Sequence, residues 1–261
     1  MAGGVRAIVW LHSLRLWRYK WSFLNMVVAE TLWIFVFLLG VLLFVPPEQV
    51  NSACRMAFWT VVAWSVISQC AGLMGGWTNF FISIGMVEEH LLRGVSPFKV
   101  ILGRTIPSSA VIAGTALFMA AVINGSFGVD VLLLEDPYLL VTGMALMLVE
   151  ALSYGLALSA ISMRTGIPHS LLDMANFMLV GLLLLPVTAL PPALRVPFMA
   201  IPYVAPMHLV RLGIRRGQEP LAEALALSVA LALVMVAAAL RLVRNAEEWI
   251  RKSGVRAVGF T

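Results

Sequence analysis

The chain has 261 residues, of which 61% are hydrophobic and only 12% charged, with a net charge of +5 and a mean hydropathy of +0.95. Soluble domains carry about 25% charged residues, so this composition excludes an ordinary water-soluble domain and reads as an all-α, multi-span membrane protein forming one domain over 1–261. The basic residues lie beside apolar stretches, which anionic lipid head groups explain, so the charge is no nucleic-acid signal.

The N-terminal segment, residues 1–21, does not read as a cleavable signal peptide, because Arg6, Arg15, Arg18 and Lys20 are scattered through it and a full-length span follows. Over residues 5–21 the spacing of Trp10, Leu14, Trp17 and Trp21 predicts an aromatic stripe along a helix lying at the head-group level. Crossing the hydrocarbon takes about 20 apolar residues. Six stretches meet that length, at roughly 22–44, 56–84, 105–123, 137–161, 172–190 and 221–243. Gly72, Gly75 and Gly76 in the second are read as sites of close helix contact. Asn25, Asn79 and Asn176 are read as hydrogen-bonding glue between spans, and Asp173 as an N-cap of the fifth.

Between the second and third spans, residues 85–104 carry acids, bases and a histidine among apolar surroundings. A short helix is expected from Glu88 to Val95, with charge on one face and Leu91 and Leu92 beneath, ended by Ser96-Pro97. Between the fifth and sixth spans the prolines Pro186, Pro191, Pro192, Pro197, Pro202 and Pro206 break any continuous helix. The segment 190–220 is therefore expected to turn back into the outer leaflet, where irregular backbone must be buried in protein or line a cavity. With both termini inside, thirteen of the 18 Lys and Arg residues fall on the cytoplasmic side. Arg195, Arg211, Arg215 and Arg216 violate that bias locally, in the last long outer loop.

The three lysines, Lys20, Lys99 and Lys252, do not follow glycine, so the chain has no phosphate-binding G-x-x-x-x-G-K-[ST] loop. If ATP drives this protein, another chain must bind it. No H-E-x-x-H or G-x-S-x-G occurs, and Cys54 and Cys70 have neither metal nor disulfide spacing. Two acids lie inside apolar spans, Glu30 in the first and Glu150 in the fourth. A charge at that depth costs at least about 2.5–3.5 kcal/mol, so each needs a partner or water. They read either as a polar lining or acid-pair gate of a substrate path, or as structural acids bonded to a neighbouring helix, with an interfacial arginine as another partner for Glu30.

The whole chain resembles the membrane (permease) subunit of type-2 ABC exporters. The plan of a basic N-terminal helix, six spans and both ends inside is similar, and so is the loop after the second span. That family shows a pattern like E-x-G-T-L-E-x-L-L-x-S-P-V followed by L-G-(R/K). Here VEEHLLRGVSPFKVILGR keeps Glu89, Leu91, Leu92, Ser96, Pro97 and the ending Leu102-Gly103-Arg104, but lacks the Gly-Thr and has Arg93-Gly94 where apolar residues are usual. The exit of the fifth span, with Pro186, Leu190-Pro191, Pro206, His208 and Arg215, is similar to the family's P…L-P…P-x-x-(H/Y)…R.

The resemblance implies that Glu88, Glu89, His90, Leu91, Leu92, Arg93, Gly94, Ser96 and Pro97 belong to a coupling helix seated in a separate ATPase subunit. That partner would bind ATP and magnesium, none being bound on this chain. It further implies no enzyme activity on this chain, a second permease copy in a homodimer or close heterodimer, contact with membrane lipid, a plasma-membrane location, and export of a lipid, a drug-like amphiphile or a glycan. Two rivals are an ion-coupled secondary transporter with Glu30 and Glu150 as its proton relay, and a membrane scaffold that recruits a partner through the 85–104 loop.

Overall fold

The computed structural model describes residues 2–165, 174, 178–179, 181–215 and 221–253. Pro168, His169, Ser170, Asp173, Asn176, Arg216 and the tail after residue 253 lie outside the described residues, as do six positions of the expected fifth span, 172–190.

The described residues are helical, with no strand among them. α1 (Ala2–Arg18) leads into α2 (Lys20–Leu42). After a short 3-10 turn at Pro47–Gln49, α3 (Val50–Ala71) passes through a π-helical segment, Gly72–Gly76, into α4 (Trp77–Ser83). Then come α5 (Met86–Leu92), α6 (Pro97–Phe127) and α7 (Pro137–Thr165). α8 (Pro192–Met199), α9 (Val204–Ile214) and α10 (Leu221–Ser253) follow. Among the described residues, five helices are long and apolar enough to cross a membrane: Lys20–Gly40, Pro47–Ser83, Pro97–Phe127, Pro137–Thr165 and Leu221–Lys252. α8 and α9 form a pair bent by 111°. Prolines start α8 and lie within both helices of the pair, and the helical path breaks between Met199 and Val204.

α7 is the hub, packed against α3, α9 and α10. Small residues set those approaches. A Cβ at Gly143 would lie 2.7 Å from the Pro206 carbonyl oxygen of α9, and one at Gly155 2.7 Å from the Cys70 carbonyl oxygen of α3. On the facing helix, Gly155 is a contact glycine at the π segment, where Gly75 is itself buried. Gly72 is exposed and a Cβ there meets nothing within 4 Å. Asn25 is exposed as well, on an open face of α2. Cys54 and Cys70 are free and buried among apolar side chains.

At one end of the bundle the 128–136 loop is tied down by donors from α3. Arg55 donates to the Asp130 carbonyl at 3.0 Å and the Trp59 indole N–H to the Val131 carbonyl at 3.1 Å. The arginines that broke the charge bias also serve backbone carbonyls. Arg211 donates to those of Leu183 and Leu185, and Arg195 to that of Leu190. Carbonyl groups freed by proline breaks need donors when water is excluded, which gives arginine a structural reason to sit here.

Candidate functional site

α5 is cut out of the chain by two glycines. Gly85 (φ 71°) ends α4 and Gly94 (φ 70°) ends α5, each in the left-handed region that side chains rarely adopt. The exit is a Schellman motif. The Val95 N–H donates to the His90 carbonyl at 2.8 Å and the Gly94 N–H to the Leu91 carbonyl at 3.0 Å. Glu88 and Glu89 lie in the first turn, where carboxylates complement the helix dipole.

The helix sits on Val87, 1% exposed, with Leu91 partly buried one turn later. Leu92 is not beneath the helix; it is 88% exposed. The reason is periodicity: positions 87 and 91 are stacked one turn apart, and each further residue turns about 100° around the axis. The outward face is therefore Glu88, Glu89, Leu92 and Arg93, all exposed. Arg93 and Glu89 form an i,i+4 ion pair at 2.5 Å, with 71% and 52% of their side chains exposed. Such exposed pairs contribute little to stability. His90 turns inward, its ring edge-on to Phe81 at 6.0 Å and its Nδ1 buried without a partner. Burial holds the His90 pKa below its ordinary value; Glu89 opposes this and Arg93 adds to it.

Behind α5, Ser96 precedes α6 with Pro97 at its first position. The Ser96 hydroxyl donates to Glu247 Oε1 of α10 at 2.5 Å. Val87 shares one apolar cluster with Phe98 and Ile101 of α6, Met163 of α7 and Ala246 and Ile250 of α10. The short helix is thus seated on three long ones. Glu247 was invisible as a partner in the sequence, since 151 residues separate it from Ser96.

The two acids within the spans go to different places. Glu30 Oε1 accepts from the Gln69 side chain of α3 at 3.4 Å. Its partner is a neutral amide, and the pair lines a crevice between α2, α3 and α6 with Ser65 and Thr115. Glu150 is fully buried and its Oε2 accepts from the Tyr203 backbone N–H at 2.7 Å, while Oε1 has no partner. Tyr203 stands at the start of α9 with φ 71°, the one non-glycine residue of positive φ among those described. Its ring meets Tyr154 edge-on at 6.3 Å and its hydroxyl is buried without a partner. Glu150 thereby fixes the strained bend between α8 and α9. No hydrogen bond joins Glu30 to Glu150.

These features define an all-helical, membrane-embedded, multi-pass protein with a small charged helix displayed beyond its long helices. The chain matches no family model and no curated protein.

Proposed function

We propose that this chain is the membrane subunit of an ATP-driven exporter of the type-2 ABC class, joined to a separate ATPase subunit through α5 and working as a homodimer. The observation that carries this reading is the construction of α5. It is rooted by Val87 and Leu91, bounded by the left-handed Gly85 and Gly94, closed at its C-terminus by backbone hydrogen bonds, and displays Glu88, Glu89, Leu92 and Arg93 outward. A solvated linker has no need of a buried root, whereas a helix that receives force does.

In this reading the partner's closure pushes α5, and Ser96–Glu247 carries the push to α10, which packs along α7. α7 in turn holds the α8–α9 bend through Glu150. The α8–α9 pair then acts as a turned-back outer segment, α1 lies at the inner interface, and both termini are cytoplasmic. With the partly described stretch before Pro186 the spans number six, in the plasma membrane. Cargo would be a lipid, an amphiphilic drug or a glycan, and ATP and magnesium belong to the partner.

The test is ATPase activity of the chain purified with its partner. Glu89→Arg and deletion of residues 88–95 are expected to abolish cargo-stimulated hydrolysis while the membrane subunit still folds. Unchanged stimulation in both variants would overturn the reading. One observation favours a second reading, ion-coupled transport: the unpartnered Oε1 of the buried Glu150. Vesicle efflux driven by a proton gradient without ATP, and lost in Glu150→Gln, is its signature.

A further inference from the structure

A cluster of positive groups lies apart from α5, where α1 crosses the first turns of α6. A Cβ at Gly103 would lie 2.9 Å from Ile8 Cγ2, so the absent side chain is what lets α1 rest on α6. That approach brings Arg104 of α6 beside Arg15 and His12 of α1. The Arg104 guanidinium stacks on Trp77 of α4, 3.2 Å from the ring centroid, and the Arg15 guanidinium lies 5.8 Å from the same ring. The His12 pKa is held below its ordinary value by burial first and then by Arg104 and Arg15, which places the three groups within electrostatic reach of each other.

Stacking occupies a face of the guanidinium and leaves its N–H edge free to donate. Neither Arg15 nor Arg104 has a carboxylate or carbonyl partner among the described residues. Arg104 and His12 are half-buried. Like charges held together in partly apolar surroundings are unfavourable unless an anion bridges them. A guanidinium pair matches the oxygens of a phosphate, which accept from both forks at once. Leu11 and Leu14 of α1 and Leu102 and Ile106 of α6 are exposed around the cluster, a setting that suits acyl chains.

We propose that Arg15, Arg104 and His12, with Trp77 as the stacking floor, form a binding site for a phosphate group. The two sources of that chemistry are the head group of an anionic membrane lipid and a soluble phosphate. The site stands whether or not α5 meets an ATPase.

The test uses the full chain, stripped of lipid in detergent, with phosphatidylglycerol, phosphatidylcholine and inorganic phosphate as separate probes. Native mass spectrometry reads retained lipid, and the His12 ring resonance reads the site itself. The expected result is at least one phosphatidylglycerol retained in preference to phosphatidylcholine. The preference should fall roughly thirty-fold in Arg15→Gln/Arg104→Gln, at about a kilocalorie per basic residue. Arg104→Lys, which keeps charge but loses the fork and the stack, should fall in between. An anion at the site raises the His12 pKa, so phosphatidylglycerol should shift its titration upward in the wild type and not in the double variant. If inorganic phosphate moves that titration and phosphatidylglycerol does not, the phosphate site stands and its source is soluble. If neither moves it, or if the titration moves equally in wild type and in the double variant, the proposal is overturned. The Arg15→Gln and Arg104→Lys single variants carry the same readouts should the double variant fail to fold.

Discussion

Val87 and Leu92 belong to one seven-residue helix and differ completely in what surrounds them. Val87→Ala removes two buried methyl groups from the α5 seat and is expected to cost about 2 kcal/mol, transfer and cavity contributions together. Leu92→Ala removes a side chain that is 88% exposed and should leave stability within about 0.5 kcal/mol. If α5 docks a partner, the order reverses in the functional assay, with Leu92→Ala weakening ATPase stimulation more than its stability predicts. Thermal melting in detergent, paired with that assay, checks both. The contrast also marks where reading the chain fell short at this scale. The charged, proline-ended character of 85–104 is written in its residues, and so is the existence of a short helix. Placing Leu92 beneath it required the start of the helix, which the positive φ of Gly85 fixes and local composition does not. Ser96–Glu247 and the Trp77–Arg104 stack join residues far apart in the chain, and no short pattern encodes either.

Among the helices, the α3 and π-segment stretch packs on α7 with no room for a further side-chain atom at Gly155. A Cβ on Gly155 would meet the Cys70 carbonyl at 2.7 Å and Met74 Sδ at 2.6 Å, and a backbone carbonyl cannot move aside as a side chain can. Gly155→Ala is therefore expected to destabilise by about 1–3 kcal/mol, the usual penalty for forcing extra atoms into a packed contact. Gly72→Ala, facing open space at φ −66°, should be neutral or slightly stabilising. Melting temperatures of the two variants, measured side by side, decide it; equal losses would contradict the packing described. Sequence reading places its emphasis on the glycine cluster Gly72, Gly75 and Gly76, because glycine density is visible in a string of letters. Which glycine faces a neighbour is a property of two helices and their rotation: Gly72 faces open space, while Gly155, isolated in the sequence, meets α3.

Across the whole molecule, hydropathy located five long helices close to where they lie, since a run of apolar residues is a one-dimensional signal, while the sixth expected span, 172–190, is described only in part. It did not reveal that α7 sits centrally while α2 and α10 keep much of their surface open, a division that depends on packing. That division supports a chemical test of the membrane's position. Leu92 and Leu233 are 88% and 65% exposed, the first on α5 and the second midway along α10. Leu92→Cys should react with a membrane-impermeant maleimide from the cytoplasmic face only, and Leu233→Cys should not react from either face. Background is low because Cys54 and Cys70 are buried. Reaction of Leu92→Cys from outside the cell would invert the assigned orientation and remove α5 from reach of any ATPase. The seat of α5 has one more consequence. Its floor combines residues near position 100 with Ala246 and Ile250. During synthesis, then, most of the protein is already in place before this patch can close, and a ribosome that stops early leaves it gaping. Assembly with a partner at α5 would thus wait upon the synthesis of α10.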